Sequence, residues 1–238
     1  MAIELSIIVP VFDEAENILP LAREVAAAMK SHPATYELVF VDDASTDETW
    51  AKIQQARQEN PRVRGLRHSR NSGQSAALWT GFQATTSPVL ATLDGDLQND
   101  PADLPALLAA LGEADVVAGI RVARQDNWLR RVSSNFAQAA RKWILKADVR
   151  DMACGVRVFK RTALAGIFPF NGLHRFMPLL MQINGARLRQ IPVHHRPRTA
   201  GVSKYGLHNR LWRGLHDLVA IRWYQKRRLL PVPFQELS

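Results

Sequence analysis

Asp94 and Asp96 stand on either side of Gly95, directly after the mostly apolar run Val89–Leu93. Such a run reads as a buried strand that ends by delivering two carboxylates to one edge of its sheet. Like charges that close repel each other and are costly to desolvate, so the pair calls for a cation, most simply a divalent metal with hard oxygen ligands. Gln98 adds a neutral oxygen, Gly95 lets the backbone turn tightly, and Pro101 opens the following helix in its first turn. Taken alone, the same residues also describe a polar loop and helix cap, because short acidic loops are common.

The elements that must position these acids follow from apolar patterning. Ser6–Phe12 is continuously apolar, as in a central parallel strand covered on both faces. A helix follows with Ile18, Leu21, Val25 and Met29 at helical spacing, Pro20 being tolerated near its start. The sequence then predicts a strand over 37–41, a helix over 48–59, a strand over 63–66 and a helix over 73–84. Beyond the strand at 89 come a helix over 102–111 and a strand over 115–120. Less regular are a helix over 127–145, a short strand over 156–159 and a helix over 174–183. Alternation of this kind predicts a doubly wound α/β sheet whose ligand lies at the carboxyl ends of its strands. Asp13, Asp42 and Asp94 each fall just after a strand, so three strand ends supply acids to one rim. No Gly-x-Gly-x-x-Gly follows the first strand, which weighs against an NAD or FAD enzyme.

With 238 residues and 47% hydrophobic residues the chain suits one domain with a full core and a C-terminal appendage. Its one cysteine, Cys154, excludes an internal disulfide framework and a multi-cysteine zinc site, and reads as a small buried residue rather than a nucleophile. The N-terminus lacks a basic region and a cleavage site, so a secretory signal is not expected. The charge-free stretch 71–93 is too rich in Ser, Thr, Gln and Asn to span a membrane. Charge is unevenly placed: from Arg187 to Arg228 there are 11 Lys or Arg against one acid, Asp217, a local surplus of +10 in a chain of net charge +9. A basic C-terminal segment on a nearly neutral body implies an anionic partner, whether lipid headgroups, a phosphorylated substrate or nucleic acid.

These residues together resemble the inverting family 2 glycosyltransferases of GT-A fold, and within them the polyprenyl-phosphate sugar synthases of the dolichol-phosphate mannose synthase type. The likeness is carried by 9–17 (VPVFDEAEN), 41–47 (VDDASTD), 71–73 (NSG) and 93–101 (LDGDLQNDP). It continues through 119–121 (GIR), 130–134 (RRVSS), 151–157 (DMACGVR) and 198–206 (RTAGVSKYG). The resemblance implies that Pro10, Asp13 and Asp42 hold the base and ribose of a nucleotide sugar, with Glu14 among the nucleotide-sugar-binding residues. It implies that Asp94, Asp96 and Gln98 hold Mg²⁺ or Mn²⁺ on the diphosphate. Arg121, Arg131 and Ser134 match positions that receive an acceptor phosphate, whereas Arg198 and Lys204 match a loop that closes over the diphosphate. Two departures are mild: Asp13-Glu14 replaces a frequent Asn-Glu, and Gly95 a frequent Ala.

The chemistry fits these residue types. A lipid monophosphate is already an anionic nucleophile, so attack on an anomeric carbon needs no strong base. The site must position two anions and stabilise a departing diphosphate, work suited to a divalent metal with Arg and Lys. The expectation is a single displacement with inversion, moving a UDP- or GDP-linked sugar to a polyprenyl phosphate such as undecaprenyl phosphate, for cell-envelope glycan or lipid modification. A family 2 transferase acting on a saccharide or lipid-linked glycan is the alternative. Without the resemblance, Arg121, Arg130 and Arg131 read as solvated surface, and His194-His195 as polarity at a strand end.

On these readings residues 1–206 form the catalytic domain and 207–238 a basic amphipathic tail. At helical spacing Leu207, Leu211, Leu215, Leu218, Val219 and Ile221 share one broad side, opposite Arg210, Arg213, Asp217, Arg227 and Arg228, with Arg222 breaking the apolar side. Such a helix could lie in a membrane interface with Trp212 and Trp223 at headgroup depth. The same side could instead pack on the domain or on a second copy in a homo-oligomer. With no span after it, a cytoplasmic protein held peripherally at the inner face of the cytoplasmic membrane is expected. Val219 stands where processive polysaccharide synthases carry the Gln of Gln-x-x-Arg-Trp, which argues against processive synthesis. A nucleic-acid-binding module would explain the basic tail but not the acidic strand ends, and no nucleic-acid motif is present, so nucleic acid is not an expected partner.

Overall fold

Strand β1 (Leu5–Val11) is apolar but for Ser6, which suits a strand every one of whose residues is buried. In the computed structural model, which describes residues 2–121, 151–152, 154–197 and 208–228 without the side chains of 208–216, β1 lies inside a seven-stranded sheet. Helix α1 (Ala15–Ala28), strand β2 (Tyr36–Asp42), helix α2 (Thr49–Glu59), strand β3 (Val63–Arg67) and helix α3 (Gln74–Gln83) follow in order. Then come β4 (Val89–Thr92), a 3-10 turn (Pro101–Asp103), α4 (Leu104–Ala110), β5 (Val116–Arg121) and β6 (Arg157–Lys160). Helix α5 (Leu173–Ile183), β7 (Leu188–Val193) and α6 (His208–Arg227) complete the described elements. The expected helix over 127–145 lies outside the described residues.

The sheet order is β3-β2-β1-β4-β6-β5-β7. β1, β2, β3 and β4 are parallel, as are β5 and β7, but β6 runs antiparallel to both β4 and β5. The chain leaves β1 in one direction to build β2 and β3 and returns on its other side to build β4. The strand order therefore reverses between β1 and β4, where open α/β sheets hold their ligands. Two features went unread in the sequence. β6 keeps its place but reverses direction, which puts Arg157 at the same rim as the carboxyl ends of its neighbours. β7, Leu-Arg-Gln-Ile-Pro-Val, is half-exposed along most of its length and contains Pro192. A polar, proline-bearing strand is what an edge position tolerates, and it carries no long apolar run to betray it.

One face of the sheet packs Leu5, Ile7, Val9, Leu38 and Phe40 against Ile18, Leu21 and Val25 of α1 and Ile53 of α2. The amino-terminal end of the sheet buries polar groups in mutual contact: Ser6 Oγ donates to Glu37 Oε1 at 2.6 Å and lies 2.7 Å from Ser87 Oγ, while Arg64 pairs with Glu37. The chain divides into two compact units, Met1–Gln125 with Val149–Val202, and Asp126–Asp148 with Ser203–Ser238. In the second unit α6 ends on Lys226 and Arg227, favourably placed at a helix C-terminus, and it exposes Val219 and Trp223 while burying Ile221. No helix of the described residues is long and apolar enough to cross a membrane.

Helix α3 lies so close to the sheet that a β-carbon on Gly81 would stand 2.3 Å from Ile8 Cγ2 and 3.3 Å from Val41 Cγ2. Gly81→Val is therefore expected to destabilise the protein by about 1–3 kcal/mol through overpacking, measured as a lowered urea midpoint with an unchanged slope.

Candidate active site

Three rim turns carry the expected donor residues, and each contains a non-glycine residue of positive φ: Asp13 at 49°, Ala44 at 62° and Leu97 at 58°. Left-handed backbone at such residues costs ~1–2 kcal/mol and persists where neighbours over-determine it. The first two turns are laced together. Asp13 N donates to Ser45 Oγ at 2.9 Å, and Asp13 Oδ1 accepts from Thr46 N at 2.7 Å. Glu14 N donates to Thr49 Oγ1 at 2.8 Å, and the Glu14 carboxylate accepts from Asn17 Nδ2 at 2.6 Å. The turn after β1 is thus locked onto the turn after β2.

Asp42 is fully buried at the end of β2. One of its oxygens accepts from Ser45 N at 2.9 Å; the other lies 3.1 Å from Arg67 Nε, close enough for charge attraction but outside hydrogen-bond geometry. Arg67 also rests over Trp50, 5.6 Å from its ring centre. The adjacent Asp43, which the sequence reading did not single out, organises the next loop. It accepts from Ser72 N at 2.9 Å, Gly73 N at 2.6 Å and lies 2.7 Å from His68 Nδ1. Those contacts set the start of α3, whose first residue Gln74 reaches across the rim to donate to Asp94 Oδ1 at 3.0 Å.

Asp94 is the centre of the rim. Its other oxygen accepts from Asn99 Nδ2 at 3.2 Å. Burial, and next the charge of Asp96, hold its carboxyl above the usual carboxylate range. Gly155 lies so near that a β-carbon there would stand 2.1 Å from Asp94 Oδ2. The role assigned to Gly95 needs correcting: its φ is not positive, and the left-handed turn is made at Leu97. Glycine is required at 95 for space, since a β-carbon would lie 2.6 Å from Val11 Cγ1 and 3.2 Å from the Pro10 carbonyl oxygen. Pro10 is thereby placed beside the acidic turn. Asp96 Oδ1 accepts from Gln98 N at 3.2 Å, and the Gln98 carbonyl accepts from Arg196 N at 2.8 Å.

The donor set is two carboxylates and an amide, and no group of three or more His, Cys, Asp or Glu able to hold a metal occurs among the described residues. That set fits Mg²⁺ or Mn²⁺, which keep several positions for water and substrate phosphates rather than taking a full protein cage.

On the other side of Asp94 the rim is basic. Arg121, at the end of β5, forks onto Asp151, Nε to Oδ2 at 2.8 Å and Nη2 to Oδ1 at 3.0 Å, with its side chain only 14% exposed. It is therefore a held residue rather than solvated surface. Arg157 is 4% exposed, donates to the Met152 carbonyl at 3.1 Å and has no partner for Nε. Cys154 is buried, as expected, and burial pushes its thiol up to about 11, so it is not a nucleophile at neutral pH. Arg131, Ser134, Arg198 and Lys204 lie outside the described residues. The structure thus brings together Pro10, Asp13, Glu14, Asp42, Asp94, Asp96, Gln98 and Arg121 at one rim. It adds Asp43, Gln74, Asn99, Asp151, Gly155 and Arg157, most of which sit inside the quoted motifs without an assigned role.

A seven-stranded mixed sheet with acids at its switch point is an α/β architecture that holds ligands at that rim, and the comparisons give the family. The profile of Glycosyl transferase family 2 matches residues 6–168, and the chain belongs to that family. It is 34% identical over 239 aligned residues to the dodecaprenyl-phosphate galacturonate synthase of Rhizobium johnstonii, covering 98% of this chain and 70% of that one. The structure of glucosyl-3-phosphoglycerate synthase from Mycobacterium tuberculosis with Mn²⁺ and uridine-diphosphate-glucose is similar at a TM-score of 0.69 and 16% identity, over 93% of this chain and 78% of that one. The same enzyme with Mg²⁺ and uridine-diphosphate gives 0.67 at 16% identity over the same shares, 93% and 78%. The fold is the GT-A fold that the sequence led one to expect, and the protein is a glycosyltransferase.

Beside Gln74, Ser75 Oγ accepts from Gly172 N at 3.0 Å and lies 2.7 Å from His174 Nδ1. Burial, then Arg175 and Arg157, push His174 down to about 3 from 6.5. Between those values the unfolded chain binds a proton here that the folded chain does not, so this residue makes stability rise with pH across that window. His174→Gln is expected to reduce the loss of stability between about pH 7 and about pH 5, measured by urea unfolding at the two values.

Proposed function

We propose that this glycosyltransferase moves a sugar from a nucleoside-diphosphate sugar to the phosphate of a polyprenyl phosphate. The observation that carries the acceptor assignment is the 34% identity, along 98% of the chain, to an enzyme named for dodecaprenyl phosphate. The rim geometry supports the donor half. Pro10, Asp13 and Asp42 take the base and ribose, with Glu14 beside them on the nucleotide-sugar side; Asp94, Asp96 and Gln98 would hold Mg²⁺ or Mn²⁺, which supplies charge for the departing diphosphate. The family resemblance gives Arg121, Arg131 and Ser134 the part of binding the acceptor phosphate, and Arg198 and Lys204 that of adding charge to the diphosphate.

The reaction is a single displacement. An acceptor phosphate oxygen forms a bond to the anomeric carbon as that carbon's bond to the diphosphate oxygen breaks, and the nucleoside diphosphate leaves with the electron pair. The anomeric configuration inverts, and the acceptor's anionic oxygen needs no proton removed. Arg suits the acceptor because its planar fork binds phosphate oxygens bidentately. The Arg121–Asp151 pair holds that fork at a fixed angle and leaves Nη1 outside the two bonds made to Asp151. Residues 1–206 serve as the catalytic domain. The basic tail, 207–238, with Val219 and Trp223 exposed on α6, meets an anionic membrane from the cytoplasmic side, where the lipid acceptor resides.

Incubation with Mn²⁺, undecaprenyl phosphate and a panel of nucleotide sugars is expected to give a polyprenyl-phosphate monosaccharide of inverted configuration, read by mass spectrometry and NMR. Asp96→Ala should lower kcat by about 100-fold or more, and Arg131→Ala should raise the acceptor KM while nucleotide affinity survives. A retained configuration, full turnover in EDTA, or transfer to saccharides but not to polyprenyl phosphate would overturn the reading. Binding to phosphatidylglycerol vesicles should fall steeply with added salt.

A further inference from the structure

Just past β7, residues 194–196 lie along the acidic turn as a short added strand. Asn99 and His195 form an antiparallel bridge, Arg196 N donates to the Gln98 carbonyl at 2.8 Å, and Gln98 Nε2 is 3.5 Å from the Arg196 carbonyl. His194 grips the following 3-10 turn: its N donates to Asp103 Oδ2 at 2.7 Å and its Nδ1 lies 2.8 Å from Asp103 Oδ1. Arg196 then spreads its guanidinium between two acids from distant parts of the chain, Nη1 to Glu24 at 2.8 Å and Nη2 to Asp100 at 2.7 Å. Glu24 belongs to α1, which begins just after Asp13; Asp100 caps the 3-10 turn by accepting from Ala102 N at 2.9 Å.

We infer that Arg196 is a positioning residue for the donor site, holding the 94–100 turn to α1 so that Asp94, Asp96 and Gln98 keep the spacing a divalent cation requires. This rests on the donor-site reading above. Three features favour it over ordinary surface pairing. Arg196 bonds the acidic turn through its backbone as well as its side chain, so the turn is fixed at Gln98 and at Asp100 together. The turn needs fixing: Leu97 is left-handed, and Asp94 and Asp96 repel each other. And the pairs themselves add little stability, because Arg196 and Glu24 are 39% and 36% exposed. A fork-shaped cation bridging two elements acts chiefly on geometry, and Lys, a point charge, cannot span both acids in that way.

The test uses the full-length protein and Mn²⁺ alone, followed by calorimetry or by the loss of the free-ion EPR signal. Residues that orient metal ligands from behind typically change metal affinity by about 10–100-fold when removed. Arg196→Met is expected to weaken Mn²⁺ binding by about tenfold with the melting temperature nearly unchanged, and Arg196→Lys to recover only part of it. Glu24→Gln, a mild change on a helix surface, should weaken binding in the same direction, and in turnover assays the donor constants should move while the acceptor KM stays fixed. Wild-type Mn²⁺ affinity in both Arg196→Met and Glu24→Gln, with Asp96→Ala unable to bind, overturns the positioning role alone. Retained Mn²⁺ binding in Asp96→Ala overturns the donor-site reading and this role with it.

Discussion

Two carboxylates one residue apart repel each other, and when protein atoms replace the surrounding water the repulsion grows. The rim around Asp94 is arranged about that constraint. Its hydrogen-bond donors are neutral amides, Gln74 from α3 and Asn99 from its own turn, so they orient the carboxylate without neutralising it. Gly155 gives Asp94 room on one side, and Gly95 lets the turn lie against Pro10 and Val11 on the other. A site that fixed its acids with lysine or arginine contacts would have no charge left to offer a cation. Amide donors and bare glycines preserve the demand for one.

The direction of β6 matters for the same reason. Had it run parallel to β4, its first residues would sit at the far end of the sheet. Running antiparallel, it starts at the rim and brings Gly155 to Asp94 and a buried arginine, Arg157, close behind. Burial disfavours the charge on Arg157, and the nearby Asp94 favours it. Arg121 stands on the next strand, β5, tied to Asp151. The rim therefore passes from acid to base within the width of three strands, the order that the proposed transfer to a phosphate acceptor calls for.

Much of this was legible in the sequence, for a physical reason. Buried parallel strands are unbroken apolar runs, and the residue that ends such a run must lie at the sheet edge, so Asp13, Asp42 and Asp94 could be placed from pattern alone. What pattern could not give was direction and pairing. Val156–Phe159 has the same apolar look whichever way it runs, and β7 hides because an edge strand with Pro192 is half polar. The reason for Gly95 was misread because a glycine serves equally for φ and for space, and only the neighbouring Val11 side chain tells which. Asp43, Asp100 and Asp151 lay inside the recognised motifs, yet their partners, His68, Arg196 and Arg121, are 25 or more residues away and invisible to local spacing.

The left-handed residues show how the fold tolerates its site. Asp13, Ala44 and Leu97 gain nothing from their own conformations, and each would relax if its turn were released. Asp13 is held by Ser45 and Thr46, and Ala44 is flanked by Asp43 and Ser45, which are bonded to the β3–α3 loop and to Asp42 respectively. Leu97 is held because its turn is pinned at Gln98 and Asp100 by Arg196. The first two are secured by residues close to the sheet's central strands, where β1 and β2 are wholly buried. The third is secured from the edge of the sheet, by a chain segment that leaves β7 and ends at half-exposed ion pairs. The turn that carries the acidic pair is tied from both sides, to the centre of the sheet through Gln74, Leu97 and the close fit of Gly95 against Val11, and to its edge through Arg196.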